Sequence, residues 1–387
     1  MNDKSNNSAS IWGTGRLLPR LMLLYFILDI ALRFVPLDPL TFRAWEAMLR
    51  RYPNAVGPFT PSKHYHRDNS YGGVANIGNL PAERRYRTVD FTTDAFGFHN
   101  PPSPIQTDSI GIVVGDSFAV GSELPEHETL SAQLSRRFGG YFYNAGAPQP
   151  LHLSSLRAAA QRIGLHRGLV IYEFLEARAW QDPPATTPEG AQGAGQRFIF
   201  RTLGQEWIDR FSTPINQLHS SPLQAISAKL EKKLQDNTLL PNSFAGFVIQ
   251  EKLRNGDSIL FLPAEFKTPD DPRSAAARWG AYLAWYSNEL RESGLGLLVL
   301  VVPNRSTIYS PLLAQPRDVS ASLSALGSLA QAFQNAGVRF VSLQNRYAQE
   351  AATHLNEKKY LYLLDDTHWN GNGTAIAAEE IFNHRNE

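Results

Sequence analysis

The sequence predicts a three-layer α/β domain: a parallel sheet with helices on both faces. Three observations predict it. Short apolar runs recur at Ile110–Val114, Leu169–Leu175 and Leu295–Val302, the pattern of strands buried on both sides. Runs of helical spacing separate them, at Leu130–Phe138, Leu153–Ile163 and Ala275–Ser293. Strands alternating with helices at this spacing favour parallel pairing. At 387 residues the chain is long enough to bury a large core.

Taken in order, residues 1–37 read as a polar tip and a membrane anchor. Arg16 and Arg20 precede Leu21–Leu28, and Leu17–Val35 is long enough for a spanning helix. Asp29 and Arg33 are spaced to pair on it. The basic residues ahead of the stretch place the C-terminal bulk outside the cytoplasm. Pro36-Leu-Asp-Pro39 offers no small-residue cleavage site, which favours an uncleaved anchor. The competing reading is an amphipathic helix packed on the domain.

Residues 38–105 form an irregular lead-in with a strand around Val89 and Phe91 and a turn at Asp94-Ala-Phe-Gly97. The α/β domain occupies 106–387. After strand Ile110–Val114, Thr129 caps helix Leu130–Phe138, and Tyr141–Tyr143 is the next strand. Helix Leu153–Ile163 and strand Leu169–Leu175 follow. Residues 181–272 break the rhythm and read as an insertion or lid containing an amphipathic helix over 221–236. Helix Ala275–Ser293, strand Leu295–Val302, helix Leu323–Ala336, strand Val338–Leu343 and helix Gly373–Phe382 complete the pattern. Trp279, Tyr282, Trp285 and Tyr286, at near-helical spacing, read as packing residues.

Composition narrows the function. A formal net charge of +1, with no basic stripe and no Gly-rich phosphate loop, gives no argument for nucleic acid. The absence of cysteine excludes disulfides, a cysteine nucleophile and thiolate metal sites. His64, His66 and His99 lack the spacing of a ligand set, and His127 reads as a solvent-facing loop residue. Arg84, Arg85 and Arg87 read as a solvated strand edge, with contact to an anionic polysaccharide as the alternative.

Two motifs carry chemistry. Gly115-Asp116-Ser117-Phe118 follows the first buried strand, where a turn exposes a serine hydroxyl. Asp365-Asp366-Thr367-His368-Trp369-Asn370 lies near the C-terminus. Together they supply the parts of a Ser-His-Asp triad. Asp116 reads as a turn-former, and Trp369 as a core or ring-wall residue rather than a sugar platform.

These residues resemble the SGNH (GDSL-like) hydrolase superfamily, which implies a flavodoxin-like α/β/α sandwich with Ser, His and Asp at the carboxyl edge of the sheet. A closer resemblance is to the AlgJ/AlgX-type SGNH-like proteins of polysaccharide O-acetylation. Asp366-Thr-His-Trp-Asn370 followed by Gly373, the segment Leu298–Tyr309, and Phe91–Asn100 carry it. The resemblance covers roughly residues 86–180 and 275–385. The chain departs from the alginate proteins in two ways: the Asp-x-His element follows the serine, and the serine turn lacks their threonine.

The resemblance assigns Ser117 as nucleophile and His368 as general base. Asp366 is the orienting acid, with Asp365 as the alternative on the common Asp-x-x-His spacing. Gly146 is the oxyanion glycine. The usual Gly-x-Asn-Asp block is replaced by Glu173-Phe-Leu-Glu-Ala-Arg178, which leaves Arg178 to take part of the missing Asn's role. No metal or organic cofactor is required. The implied function is extracytoplasmic O-acetylation of an exopolysaccharide or cell-envelope glycan. The acetyl donor would come through a multipass membrane acyltransferase, and the protein would be held at the inner membrane by its N-terminal helix. A carbohydrate or lipid acetylesterase, and a non-catalytic glycan-binding scaffold of an export complex, are the alternatives.

Overall fold

A computed structural model describes residues 11–35, 43, 57–102, 108–148, 152–184 and 222–384. Helix α1 spans Ile11–Leu32. In the lead-in, β1 (His64–Ser70) pairs antiparallel with β2 (Arg87–Thr92), and α2 (Gly73–Ile77) lies between them in sequence. The strand expected around Val89 and Phe91 is β2. Its partner β1 is too polar and exposed to show an apolar alternation. Gly97 turns the chain with φ 81°, as expected of a glycine there.

The central sheet contains β3 (Gly111–Val114), β4 (Phe142–Asn144), β5 (Gly168–Leu175), β8 (Leu295–Val302) and β9 (Phe340–Ser342). They lie in the order β4-β3-β5-β8-β9, and every pairing is parallel. Numbered within the sheet this is 2-1-3-4-5, the doubly wound order, with its switch point between β3 and β5.

Alternate side chains on each strand feed different cores. Val113, Ile171, Leu298 and Leu300 pack with α4 (Leu130–Phe138), α10 (Gln344–Thr353) and α11 (Gly371–Asn383). Ile112, Val170, Leu297 and Val299 pack with α5 (Leu153–Arg162), α7 (Pro272–Glu292) and α9 (Ser320–Asn335). Burial on both faces is why these strands read as unbroken apolar runs. Trp279, Tyr282 and Tyr286 lie buried in the second core, as packing residues.

Two expectations change. The N-terminal stretch is helical, yet no helix among the described residues is long and apolar enough to cross a membrane. Arg16, Arg20 and Asp29 lie within α1, leaving only Leu21–Leu28 uncharged between the second and third of them. A span needs about 20 predominantly apolar residues. Asp29 is buried; it accepts from Arg33 at 3.3 Å and from the Leu223 N–H at 3.5 Å, at the start of α6 (Pro222–Asp236). Helix α1 thus packs on the body through a charged residue.

The segment 181–272 is not uniformly a lid. Residues 185–221 lie outside the described residues. Helix α6 sits against the lead-in, and Arg84 holds Asp236 at 2.8 Å. The hairpin β6 (Ile249–Lys252) and β7 (Ser258–Phe261) enters the first core through Ile259 and Phe261. Apolar side chains inserted in this way make the hairpin part of the domain.

Candidate active site

Ser117 opens α3 (Ser117–Val120), directly beyond the carboxyl end of β3 at the switch point. The turn is tied from three sides through Asp116. Its N–H donates to Glu173 Oε2 at 3.0 Å, its Oδ1 accepts from the Phe118 N–H at 2.9 Å, and its Oδ2 accepts from Arg178 at 2.7 Å. Asp116 therefore caps α3 and anchors the serine turn to the end of β5, a larger role than the turn-former expected. Gly115 allows close approach, because a Cβ there would run into the Glu173 carboxylate.

His368 Nε2 lies 2.7 Å from Ser117 Oγ, and His368 Nδ1 contacts Asp366 Oδ1. An ionised carboxylate only accepts, so Nδ1 carries the proton and Nε2 is left to accept from the serine hydroxyl. The His368 N–H donates to the same Asp366 oxygen at 3.0 Å. Phe118 packs on the imidazole with ring centroids 4.9 Å apart. Trp369 is fully buried and donates to the Phe118 carbonyl at 3.1 Å, which fits its reading as a core residue.

The two candidate acids separate cleanly. Asp366 faces the histidine, and its second oxygen accepts from the Gly73 N–H and from Arg43 at 3.1 Å. Burial alone would raise its pKa; Arg43, His368 and Arg87 outweigh burial and hold the carboxyl well below the usual carboxylate range. Asp365 points the other way. It accepts from the Gly72 N–H at 2.7 Å, the Arg85 N–H at 2.9 Å and the Arg87 guanidinium at 3.0 Å. It pins the lead-in rather than the imidazole.

Of the expected oxyanion donors, Gly146 is engaged within its own turn and Arg178 only in part. The Gly146 N–H donates to Asn144 Oδ1 at 2.9 Å. A Cβ on Gly146 would strike the backbone of Ala119 and Val120, so this glycine serves close packing against α3. The Gly146 N–H, expected as an oxyanion donor, is thus hydrogen-bonded to Asn144 in this structure. Arg178 is committed to Asp116 through one terminal nitrogen, while its buried Nε has no hydrogen-bond partner among the described residues.

Several residues of the site escaped the sequence reading. Arg43 and Arg87 reach in from the lead-in and flank buried Glu123 at 3.3 and 3.4 Å. Arg43 lies 323 positions from Asp366 in sequence, and no local pattern links them. Arg87 is not on a solvated edge, because its charge is spent on Asp365 and Glu123. Arg305, which opens α8 (Arg305–Tyr309) in the segment singled out as Leu298–Tyr309, is buried and donates to the carbonyls of Leu363 (2.9 Å), Asp366 and Leu260 and to Glu265 (3.0 Å). It staples the aspartate loop to β7. Glu173 did carry a signal, a carboxylate inside an apolar strand. Burial first, then neighbouring Asp116, raises its pKa well above the usual range.

The histidines of the lead-in are structural or exposed. Buried His99 stacks on Phe91 and hydrogen-bonds the Val120 carbonyl at 2.7 Å; burial pushes its pKa down to about 4, so it is neutral. His64 and His66 share Asp90 on the exposed face of β1 and β2. Among the described residues no group of three or more His, Cys, Asp or Glu is placed to hold a metal.

Comparison with curated proteins gives no significant match. Comparison with protein-family models gives one over the C-terminal third of the chain, from the β6–β7 turn to the end of α11. It contains Asp366 and His368 and begins beyond Ser117. Residues 256–386 match the model of the SGNH hydrolase-like domain of acetyltransferase AlgX.

Proposed function

We propose that this protein is a serine-dependent O-acyltransferase that acetylates a polysaccharide hydroxyl through an acyl-serine intermediate. The observation that carries the reading is the 2.7 Å approach of His368 Nε2 to Ser117 Oγ, with Nδ1 on Asp366. The acetyltransferase character rests on the AlgX family match.

In the first step Ser117 Oγ attacks the acyl carbonyl, and its proton passes to His368 Nε2. Asp366, kept anionic by Arg43, stabilises the imidazolium. As the tetrahedral centre collapses, the bond to the donor's leaving group breaks and His368 returns the proton to that group. In the second step an acceptor hydroxyl gives its proton to His368 and attacks the acyl-serine, and Ser117 recovers its hydrogen. The Ser117 backbone N–H is the first oxyanion donor, and Arg178 stands in for the missing Asn. Preorganised donors of this type contribute about 3–4 kcal/mol each to transition-state stabilisation. With water as acceptor the same residues make an esterase, so the acceptor decides between the two. We place the reaction outside the cytoplasm, with the acetyl group supplied through a multipass membrane acyltransferase. A chain without cysteine suits that oxidising setting.

The test uses the purified full chain with p-nitrophenyl acetate, with and without oligosaccharide acceptors, beside Ser117→Ala and His368→Ala. Acetylated sugar, found by mass spectrometry and lost in both variants, is the expected result. Nitrophenol release into water alone, lost in both variants, selects the esterase. Activity equal in wild type and variants refutes the triad.

A further inference from the structure

We propose that Glu173 is a positioning residue that holds the serine turn in its neutral, protonated form, so that ionising it releases the turn. The kinetic consequence rests on the reading of Ser117 as nucleophile; the structural consequence does not.

Side chains alternate along β5. Ile171, two residues before Glu173, packs in the first core with Phe118, Ala119 and Trp369. Glu173 therefore stands where the pattern calls for an apolar side chain, and it is fully buried. In register it faces Leu300 of β8, which brings no charge. On its other side lies the serine turn, where a Cβ at Gly115 would collide with the Glu173 carboxyl and come within 2.9 Å of Ala119. The carboxyl thus lies directly against the turn that carries Ser117.

Its partners are those of a neutral acid. Oε2 accepts the Asp116 N–H at 3.0 Å. Oε1 is buried and has no hydrogen-bond partner among the described residues. An ionised carboxylate offers about four acceptor sites, and leaving most of them empty in a buried place is costly. The charged and titratable neighbours do not repair this. Arg178, from the turn after β5, gives its terminal nitrogen to Asp116 at 2.7 Å. Asp116 presents a second negative charge, and burial keeps the adjacent Tyr172 neutral. Burial and Asp116 outweigh Arg178 and keep the proton on Glu173.

Neutral Glu173 gives the turn an acceptor without setting a second charge beside Asp116. Through that bond it fixes the peptide between Gly115 and Asp116, one position before the Ser117 N–H that serves as oxyanion donor. Ionised, it would face the Asp116 carboxylate at close range, and the turn would shift to let water reach it. A displacement of about 1 Å at a reacting group costs on the order of 100-fold in rate. Because the native state favours the protonated carboxyl, its contribution to stability is full at acid pH and is lost as pH rises through the raised native pKa. A Ser-His pair alone gains activity as the imidazole loses its proton and then holds a plateau. Glu173 adds a fall on the alkaline side.

The experiment compares the full chain with Glu173→Gln, which keeps the shape of the neutral acid and cannot ionise, and with Glu173→Ala. Measured across pH are the burst of nitrophenol from p-nitrophenyl acetate, stability in urea, and the infrared carbonyl band of protonated carboxyl groups. Wild type should lose burst rate and stability on the alkaline side. Glu173→Gln should keep most of the rate and remove the fall, whereas Glu173→Ala should lose on the order of 100-fold. At neutral pH the infrared difference between wild type and Glu173→Gln should show a protonated carboxyl. A loss in Glu173→Gln as severe as in Glu173→Ala would assign the role to the anion and overturn the proposal. So would a missing carboxyl band, or an alkaline fall unchanged in Glu173→Gln. The Gln comparison and the band decide the matter even where Glu173→Ala does not fold. A chain inactive on p-nitrophenyl acetate would fail the Ser117 reading, while the band and the urea comparison, which need no turnover, still decide Glu173.

Discussion

Replacing each of the two adjacent aspartates by asparagine separates orientation from fastening. Asp366 accepts four donors: the His368 ring and N–H on one oxygen, Arg43 and the Gly73 N–H on the other. Asparagine offers one accepting oxygen. If that oxygen faces Arg43 and Gly73, its NH2 meets Nδ1, which must then accept; the ring proton moves to Nε2, the wrong tautomer for taking a proton from Ser117. If the amide flips, its NH2 opposes two donors in a buried site, at a cost of about 1–3 kcal/mol. Asp366→Asn should therefore lower acyl-serine formation by roughly 10⁴-fold, the loss typical of a triad aspartate so changed. Asp365→Asn removes a charge that holds Arg87 and two backbone N–H groups. It should cost about 1–3 kcal/mol of stability, a melting shift of several degrees, and leave acylation within about tenfold of wild type. The assay is the burst of nitrophenol, with the acyl adduct followed by intact mass, at a temperature where both variants are folded. Equal losses in the two variants, or a mild effect of Asp366→Asn, would refute the assignment of Asp366 as the orienting acid.

Arg43 is the foremost cation holding Asp366 ionised, so Arg43→Ala should raise the Asp366 pKa. Because a lowered carboxyl pKa supports activity above that pKa and loses it as pH falls, the acid limb of the pH–rate profile should move to higher pH, with Arg43→Lys intermediate; an unmoved limb would count against the network. Gly115→Ala should cost about 1–3 kcal/mol in urea unfolding, since its Cβ meets Glu173, and unchanged stability would disprove that contact. Arg305→Met leaves three carbonyls and the buried Glu265 without their donor, and should cost about 3–5 kcal/mol; a loss below about 1 kcal/mol would show that the aspartate loop does not depend on this staple.

Much of this was legible in the linear chain. Strands β3, β5 and β8 announce themselves because a sheet covered on both faces needs uninterrupted apolar side chains, and the expected ends of the longer helices fall within a few residues of those found. The serine turn and the histidine motif could be paired because each carries its own local chemistry: an exposed hydroxyl after a strand, and a carboxylate two residues before an imidazole. Short or polar elements were not legible. Strand β1 is exposed and lacks an apolar alternation, and α10 is a ten-residue amphipathic helix behind a three-residue strand.

By itself, then, the sequence determined the layered α/β class, the nucleophile candidate and the histidine, because period and motif are local properties of a chain. Only the tertiary structure decided which aspartate faces His368, that the Gly146 N–H is hydrogen-bonded to Asn144, and that Arg43 and Arg87 guard the aspartates. These depend on which side a carboxylate turns and on which distant segment supplies its donors. Arg43 and Asp366 are 323 residues apart; their pairing arises only when burial makes an unneutralised carboxylate too costly to leave alone.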